Sequence, residues 1–227
     1  MEANPTSGSD GSYEPRLAET ESAEPIMSDP QTVSEEDMLR ANVYGLLARM
    51  LTLPPSEETM EIVRGLANSA DGSAIGDALA NLGAVATRTP RGAAEAEYTK
   101  LFFGMGSGGE LTPSASFYLT GFVYEKPLAS LREDLTELGA APSGLNQEPE
   151  DHIAFLCEIM HGMISGSFGG PAGLPRQRAF FQKHMAPWAA HFFEDLEGAE
   201  SAALYMPLGT VGRLFMAVEA EAFEMAA

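Results

Sequence analysis

The sequence predicts an all-α fold: one helical domain over residues 34–227 behind a disordered acidic tail over residues 1–33. Three observations lead there. Apolar residues recur at three- and four-residue intervals through most of the chain, Pro and Gly punctuate those stretches, and no stretch alternates apolar with polar residues as a half-buried strand would. No internal repeat is present. At 44% hydrophobic residues over 227 positions, the chain can bury a substantial core.

Residues 1–32 are rich in Pro, Ser, Glu and Gly, with Arg16 the only basic side chain. Too few large apolar groups are present there to offset the entropy of ordering. The domain opens with "SEEDMLRANVYGLLARMLTLPP", where Ser34 caps the helix, Asp37 follows three residues on, and Pro54 and Pro55 close it. Met38, Val43, Leu46, Leu47, Met50 and Leu51 share the spacing of a core face. A second helix runs from Ser56 to about Asn68 and a third from about Ser73 to Arg88, with "NSADGS" between them.

Thr89 and Pro90 then read as a cap with proline in the first turn of a helix carrying "EAEYTKLFFG". Glycines and Pro113 interrupt "GMGSGGELTPSAS". Helical pattern resumes in "FYLTGFVYEKPLASLREDLTELG", where Pro127 separates two helices. The loop "AAPSGLNQ" leads into "EPEDHIAFLCEIMHGMI", and "SGSFGGPAGLPR" leads out of it. Pro187 divides "QRAFFQKHMAPWAAHFFEDLEG", and a final helix spans "MPLGTVGRLFMAVEAEAFEMAA".

Charge narrows the partners. Asp and Glu outnumber Lys and Arg by 33 to 13, a formal charge of −20. Such a surface repels nucleic-acid backbones and anionic lipid and draws in a basic partner. Solubility alone is the competing explanation of the acid excess. A single cysteine, Cys157, excludes an intramolecular disulfide and fits a reducing compartment. With no apolar run of transmembrane length and no secretory pattern at the N-terminus, the expectation is a cytoplasmic protein without membrane insertion.

The acids before "IAFLCEIMHGMI" admit two readings. As a helix start, Pro149 suits the first turn, Glu150 and Asp151 complement the positive end of the helix, and Asn146 or Glu148 supplies the cap. His152 does not fit that reading, because a cation is unfavourable at a helix N-terminus. As a binding site, the cluster offers carboxylates beside an apolar helix whose core face holds Ile153, Leu156, Ile159, Met160 and Met163. Metal chemistry is poorly served. Glu158 and His161 form one Glu-x-x-His pair where a di-iron bundle needs two, and Cys157 with His161 lacks two further zinc ligands. Cys157 sits in an apolar run and reads as a small core residue, not a nucleophile. "GMGSGG" lacks the Lys and Ser/Thr of a phosphate-binding loop.

Four blocks in order, "EYTKLFFG", "GELTPSASFYLTG", "EPEDHIAFLCEIMHGMI" and "QRAFFQKHMAPWAAHFFEDLE", resemble the motif series of the TorD/DmsD/NarJ redox-enzyme maturation chaperones over roughly Glu97 to Glu197. "EPEDH" before an apolar helix is the most specific of them, and its form leans towards the TorD-like branch over the nitrate-reductase chaperones. The resemblance implies a helical bundle of the TorD/DmsD type. It also implies a cytoplasmic chaperone, without a catalytic activity or cofactor of its own. Such a chaperone binds the twin-arginine signal peptide and apoprotein of a molybdenum-cofactor oxidoreductase and holds it from export until the cofactor is inserted.

By position, the resemblance assigns signal recognition to Glu148, Pro149, Asp151 and His152, with Asp151 the first choice for arginine and Pro149 a shaper. Phe117 and Tyr118 supply aromatic walls for the signal's apolar run. Arginine forks bind carboxylates bidentately, with charge-assisted hydrogen bonds stronger than neutral ones. Of the 12 methionines, Met160 and Met163 are candidates to line the peptide groove. Tyr98, Phe102, Phe180, Phe181 and Trp188 read as core, and His184 and His191 take no role. The resemblance leaves three client types open: a formate dehydrogenase, a dimethyl sulfoxide or trimethylamine N-oxide reductase, and a nitrate reductase. The chain is a monomer or a dimer that exchanges elements about "AAPSGLNQ". A guanine-nucleotide-binding or cofactor-handling enzyme and a generic helical interaction domain are the alternatives.

Overall fold

The computed structural model describes residues 33–104, 108–139 and 148–226. The predicted acidic tail, Asn146 and the "AAPSGLNQ" hinge lie outside them, apart from Val33, which packs half-buried against the core. Among the described residues ten α-helices follow one another: α1 Glu35–Thr52, α2 Glu57–Gly65, α3 Ala74–Arg88, α4 Arg91–Tyr98, α5 Ala115–Thr120, α6 Lys126–Leu138, α7 Ile153–Ser165, α8 Leu174–His184, α9 Ala189–Gly198 and α10 Tyr205–Met225. No strand occurs among the described residues, so the fold is all-α as predicted.

Local chemistry sets most of the starts. Ser34, Ser56 and Ser73 are N-caps whose hydroxyls accept from the backbone N–H groups of Asp37, Thr59 and Gly76. Each satisfies one of the unpaired donors at a helix start, an effect of about 1 kcal/mol. Two starts differ from the sequence reading. Pro90, not Thr89, holds the cap position of α4. Pro127 lies in the first turn of α6, and the break is made upstream by Gly121, left-handed at φ 83°, and residues 122–125. A proline in the first turn costs no hydrogen bond, which is why it starts a helix here.

The core gathers around α7, which packs along α1, while α10 packs against α9 and α3. Ile153, Leu156, Cys157, Ile159, Met160 and Met163 are all buried on α7. Met160 and Met163 are therefore core and line no groove, a correction to the sequence reading. Burial also raises the thiol pKa of Cys157 well above its usual value, in keeping with a structural residue. On α1 the expected face holds at Leu47, Met50 and Leu51, but Met38 is exposed and Tyr44 is fully buried in its stead. Tyr98, Phe180, Phe181 and Trp188 are core, and Phe102 packs partly buried against it.

Small residues let α9 and α10 come close. A Cβ on Gly212 would lie 2.2 Å from the Phe193 ring, and one on Gly209 would lie 2.5 Å from the Glu197 backbone nitrogen. No side chain fits at either position without moving α9. Polar locks tie distant helices together as well. Glu219 of α10 pairs with Arg40 and Tyr44 of α1, and Glu97 of α4 accepts backbone N–H groups at the start of α10.

Candidate functional site

The "EPEDH" segment is a turn whose backbone is stitched to the segment before α5. Ser114 and His152 form an isolated antiparallel bridge, Ala115 N donates to the Asp151 carbonyl at 3.0 Å, and Ile153 N donates to the Pro113 carbonyl at 2.9 Å. The "TPSAS" and "EPEDH" motifs, well separated in sequence, are thereby one structural unit. Helix α7 starts only after this unit, at Ile153, so Pro149, Glu150 and Asp151 precede the helix and are not in its first turn.

The cap of α7 is His152 itself. Its Nδ1 accepts from Ala154 N at 3.2 Å, which places the ring proton on Nε2. Burial lowers its pKa to about 4, only partly opposed by the Asp151 charge. At neutral pH His152 is thus an uncharged acceptor, the form a helix start favours. This removes the objection that a cation there is unfavourable: the residue is not a cation.

A pH test follows from the sign of that shift. The unfolded imidazole takes up its proton near pH 6.5 and the folded one near pH 4, so the unfolded chain binds more protons between those values. The contribution is complete above about pH 6.5 and is lost as pH falls towards 4, an effect on the order of 3 kcal/mol. His152→Asn keeps a capping oxygen and removes the titration. Urea midpoints of wild type should fall more steeply than those of His152→Asn between pH 7 and 4.5. Parallel curves would refute the buried neutral histidine.

Asp151 is 1% exposed. Its Oδ2 accepts from Ser114 Oγ at 3.0 Å and from Ser116 N at 2.7 Å. Its Oδ1 is buried and has no partner among the described residues. The carboxylate borders a cavity of about 340 Å³ whose other walls include Leu119, Lys126, Pro127, Leu156, Lys183 and His184. Such an oxygen is expensive to leave unpaired, because a buried acceptor without a donor carries its full desolvation penalty. Oδ2 already accepts two hydrogen bonds, which leaves Oδ1 as the carboxylate oxygen without a partner among the described residues.

The other predicted residues divide by environment. Glu148 is exposed and Pro149 half-buried on the same turn. Glu150 is taken by Arg132 of α6, whose Nε and Nη2 lie 3.1 and 2.7 Å from Glu150 Oε2. Tyr118 donates its hydroxyl to Asp195 at 2.8 Å and stacks on Trp188, with ring centroids 5.3 Å apart. Phe117 is 41% exposed. It begins an unusual run: Leu119, Phe122, Val123 and Tyr124 are also exposed, and Tyr124 adopts φ 62°, a left-handed conformation rare for a bulky residue.

Sequence reasoning missed four contributors. Ser114 and Ser116 hold Asp151, and their presence in "TPSAS" was the available signal. Asp134 of α6 takes Lys183 at 2.8 Å and His184 Nε2 at 2.6 Å, and so holds two side chains that line the cavity. His184, to which the sequence assigns no role, is buried there, with burial lowering its pKa against the opposing pull of Asp134. His191 is exposed. His161 Nδ1 lies 2.8 Å from the Ala41 carbonyl, and no cluster of metal-ligating side chains occurs among the described residues.

Fold and site together define an all-helical protein with a buried acidic residue beside a small cavity. The architecture matches the crystal structure of a proposed redox enzyme maturation protein from Archaeoglobus fulgidus with a TM-score of 0.56 and 21% identity, over 79% of this chain and 94% of that one. Residues 68–194 match the family described as nitrate reductase delta subunit, more than half of the sequence and all of the cleft. The chain belongs to that family, the NarJ/TorD type of redox-enzyme maturation chaperones. No curated protein matches it. No described helix is long and apolar enough to cross a membrane.

Proposed function

We propose that this chaperone acts in the cytoplasm on a molybdenum-cofactor oxidoreductase, binding the client's twin-arginine signal peptide and apoprotein until the cofactor is in place. The observation that carries this reading is the unpaired Oδ1 of Asp151, a residue that lines the cavity together with Leu119, in a stretch where Phe117, Phe122 and Tyr124 are exposed. A signal peptide of this kind presents cations followed by an apolar stretch. A buried carboxylate oxygen suits the cation, and Phe117, Leu119, Phe122 and Tyr124 suit the stretch that follows. The chain's charge of −20 draws a basic segment in at long range. Asp151 is the arginine contact in this reading, Tyr118 and Pro149 shape the walls, His152 holds the turn, and Glu148 adds charge at the rim. The "EPEDH" form favours a client of the formate dehydrogenase or of the dimethyl sulfoxide or trimethylamine N-oxide reductase type.

Calorimetric titration with twin-arginine signal peptides of oxidoreductases encoded near its gene tests the reading. Binding is expected to one of them, and Asp151→Asn, which can still accept from Ser114 and Ser116, should weaken it about 10- to 100-fold, the worth of one hydrogen bond to a charged group. Unchanged affinity in Asp151→Asn would leave "EPEDH" as a structural turn only.

A further inference from the structure

The cavity beside Asp151 has a charge pattern that the signal-peptide reading does not by itself predict. The chain contains three lysines, Lys100, Lys126 and Lys183. Two of them, Lys126 and Lys183, line this one cavity together with Asp151. Lys183 is held by Asp134, and Lys126 makes no ion pair among the described residues. The remaining walls are largely aliphatic, from Ala115, Leu119, Pro127, Leu131 and Leu156. At about 340 Å³ the space stands at the small end of ligand pockets, which run from about 300 to 1,000 Å³. It has room for a side chain and not for a folded segment.

Only one oxygen is on offer. Oδ2 is used up by the Ser114 hydroxyl and the Ser116 amide, so a guanidinium cannot close the two parallel hydrogen bonds that make arginine better than lysine at a carboxylate. The free Oδ1 of Asp151 can offset one incoming charge, and a second cation entering the same small space would meet the first beside Lys126 and find no second free carboxylate oxygen. We propose that the cavity admits one cationic side chain, end-on, through a single N–H donated to Asp151 Oδ1. The site then distinguishes position within the arginine pair but not arginine from lysine. This rests on the signal-peptide reading for the identity of the peptide, though not for the chemistry of the cavity.

The test uses the full chain and the twin-arginine peptide that binds it, with each arginine changed in turn to lysine and to alanine. At one position alanine should cost about 10- to 100-fold in affinity while lysine stays within about threefold of arginine. At the other position neither change should exceed about threefold, and Asp151→Asn should abolish the difference between positions. Equal loss at both positions, or a lysine as damaging as alanine at the sensitive one, overturns the single-donor geometry while leaving signal binding intact. If no peptide binds, the signal reading falls, and the cavity is read directly with n-propylguanidinium and n-butylammonium. The carboxyl carbon-13 resonance of Asp151 should then respond to both cations at similar concentrations. No response to either, or a response to the guanidinium alone, overturns the inference.

Discussion

Glu219→Ala is expected to lower the unfolding free energy by about 3–5 kcal/mol, the usual cost of removing one partner from a buried ion pair. Glu219 is fully buried on α10. It accepts from Arg40 Nε at 2.7 Å and Nη2 at 2.8 Å, a two-pronged pair, and from the Tyr44 hydroxyl at 2.9 Å. The Arg40 guanidinium also sits 5.4 Å from the Phe223 ring centre. Alanine would leave that cation with Asp37 as its one remaining carboxylate partner, 2.7 Å from Nη1, and would strand the hydroxyl in the interface between α1 and α10. Chemical denaturation followed by circular dichroism measures the loss, and a change below about 1 kcal/mol would show that the lock is immaterial. The triple replacement Arg40→Met, Tyr44→Phe, Glu219→Leu removes the three members in the interface at once and leaves Asp37, whose side chain is exposed, to water. It should recover most of the stability, because the penalty comes from unpaired groups, not from absent charge.

Glu97→Ala should cost about 2–4 kcal/mol by a different route. This glutamate, in the "EAEYTKLFFG" block, accepts from Ala203 N, Leu204 N and Tyr205 N at 2.7, 3.0 and 2.7 Å. It caps α10 from across the molecule, where a residue beside the helix would normally do so. Three backbone donors lose their partner together when it is removed, and those of Leu204 and Tyr205 are in the core. Glu97→Gln keeps one acceptor oxygen and should lose roughly half as much. Amide hydrogen exchange at Leu204 and Tyr205 isolates the effect. Exchange that accelerates no more there than in α3 would refute a local capping role.

Glu97 also shows how a family motif can be structural. Read along the chain, "EYTKLFFG" marks the family, yet its acid faces the start of the last helix and not the cleft. The same caution applies to "EPEDH", where Glu150 is spent on Arg132 and His152 on capping, leaving Asp151 as the buried member with an unpaired oxygen.

Much of the helical plan was legible in the residues because its causes are local. Ser34, Ser56 and Ser73 each cap with a hydroxyl reaching a backbone amide three residues on, a distance the sequence displays directly. The break near Pro187 and the core face of α7 are likewise short-range matters of ring geometry and helical period. The family, too, was readable from four ordered blocks. Met38 went the other way: it has the right spacing but lies at the exposed first turn of α1, where no neighbouring helix covers it.

By itself, then, the sequence determined where helices form, which faces are apolar, the acidic character and the kinship, because these depend on contacts within a turn or two or on composition. Tertiary structure alone decided the start of α7, the neutral state of His152, the pairing of Glu219 with Arg40, and which oxygen of Asp151 stays open. Each of these depends on residues far away in the chain. Ser114 and Ser116 lie 37 and 35 residues from Asp151, and Arg40 lies 179 from Glu219. Burial and partners at such separations arise only when the chain has folded, and a carboxylate's chemistry is set by burial and partners more than by its identity.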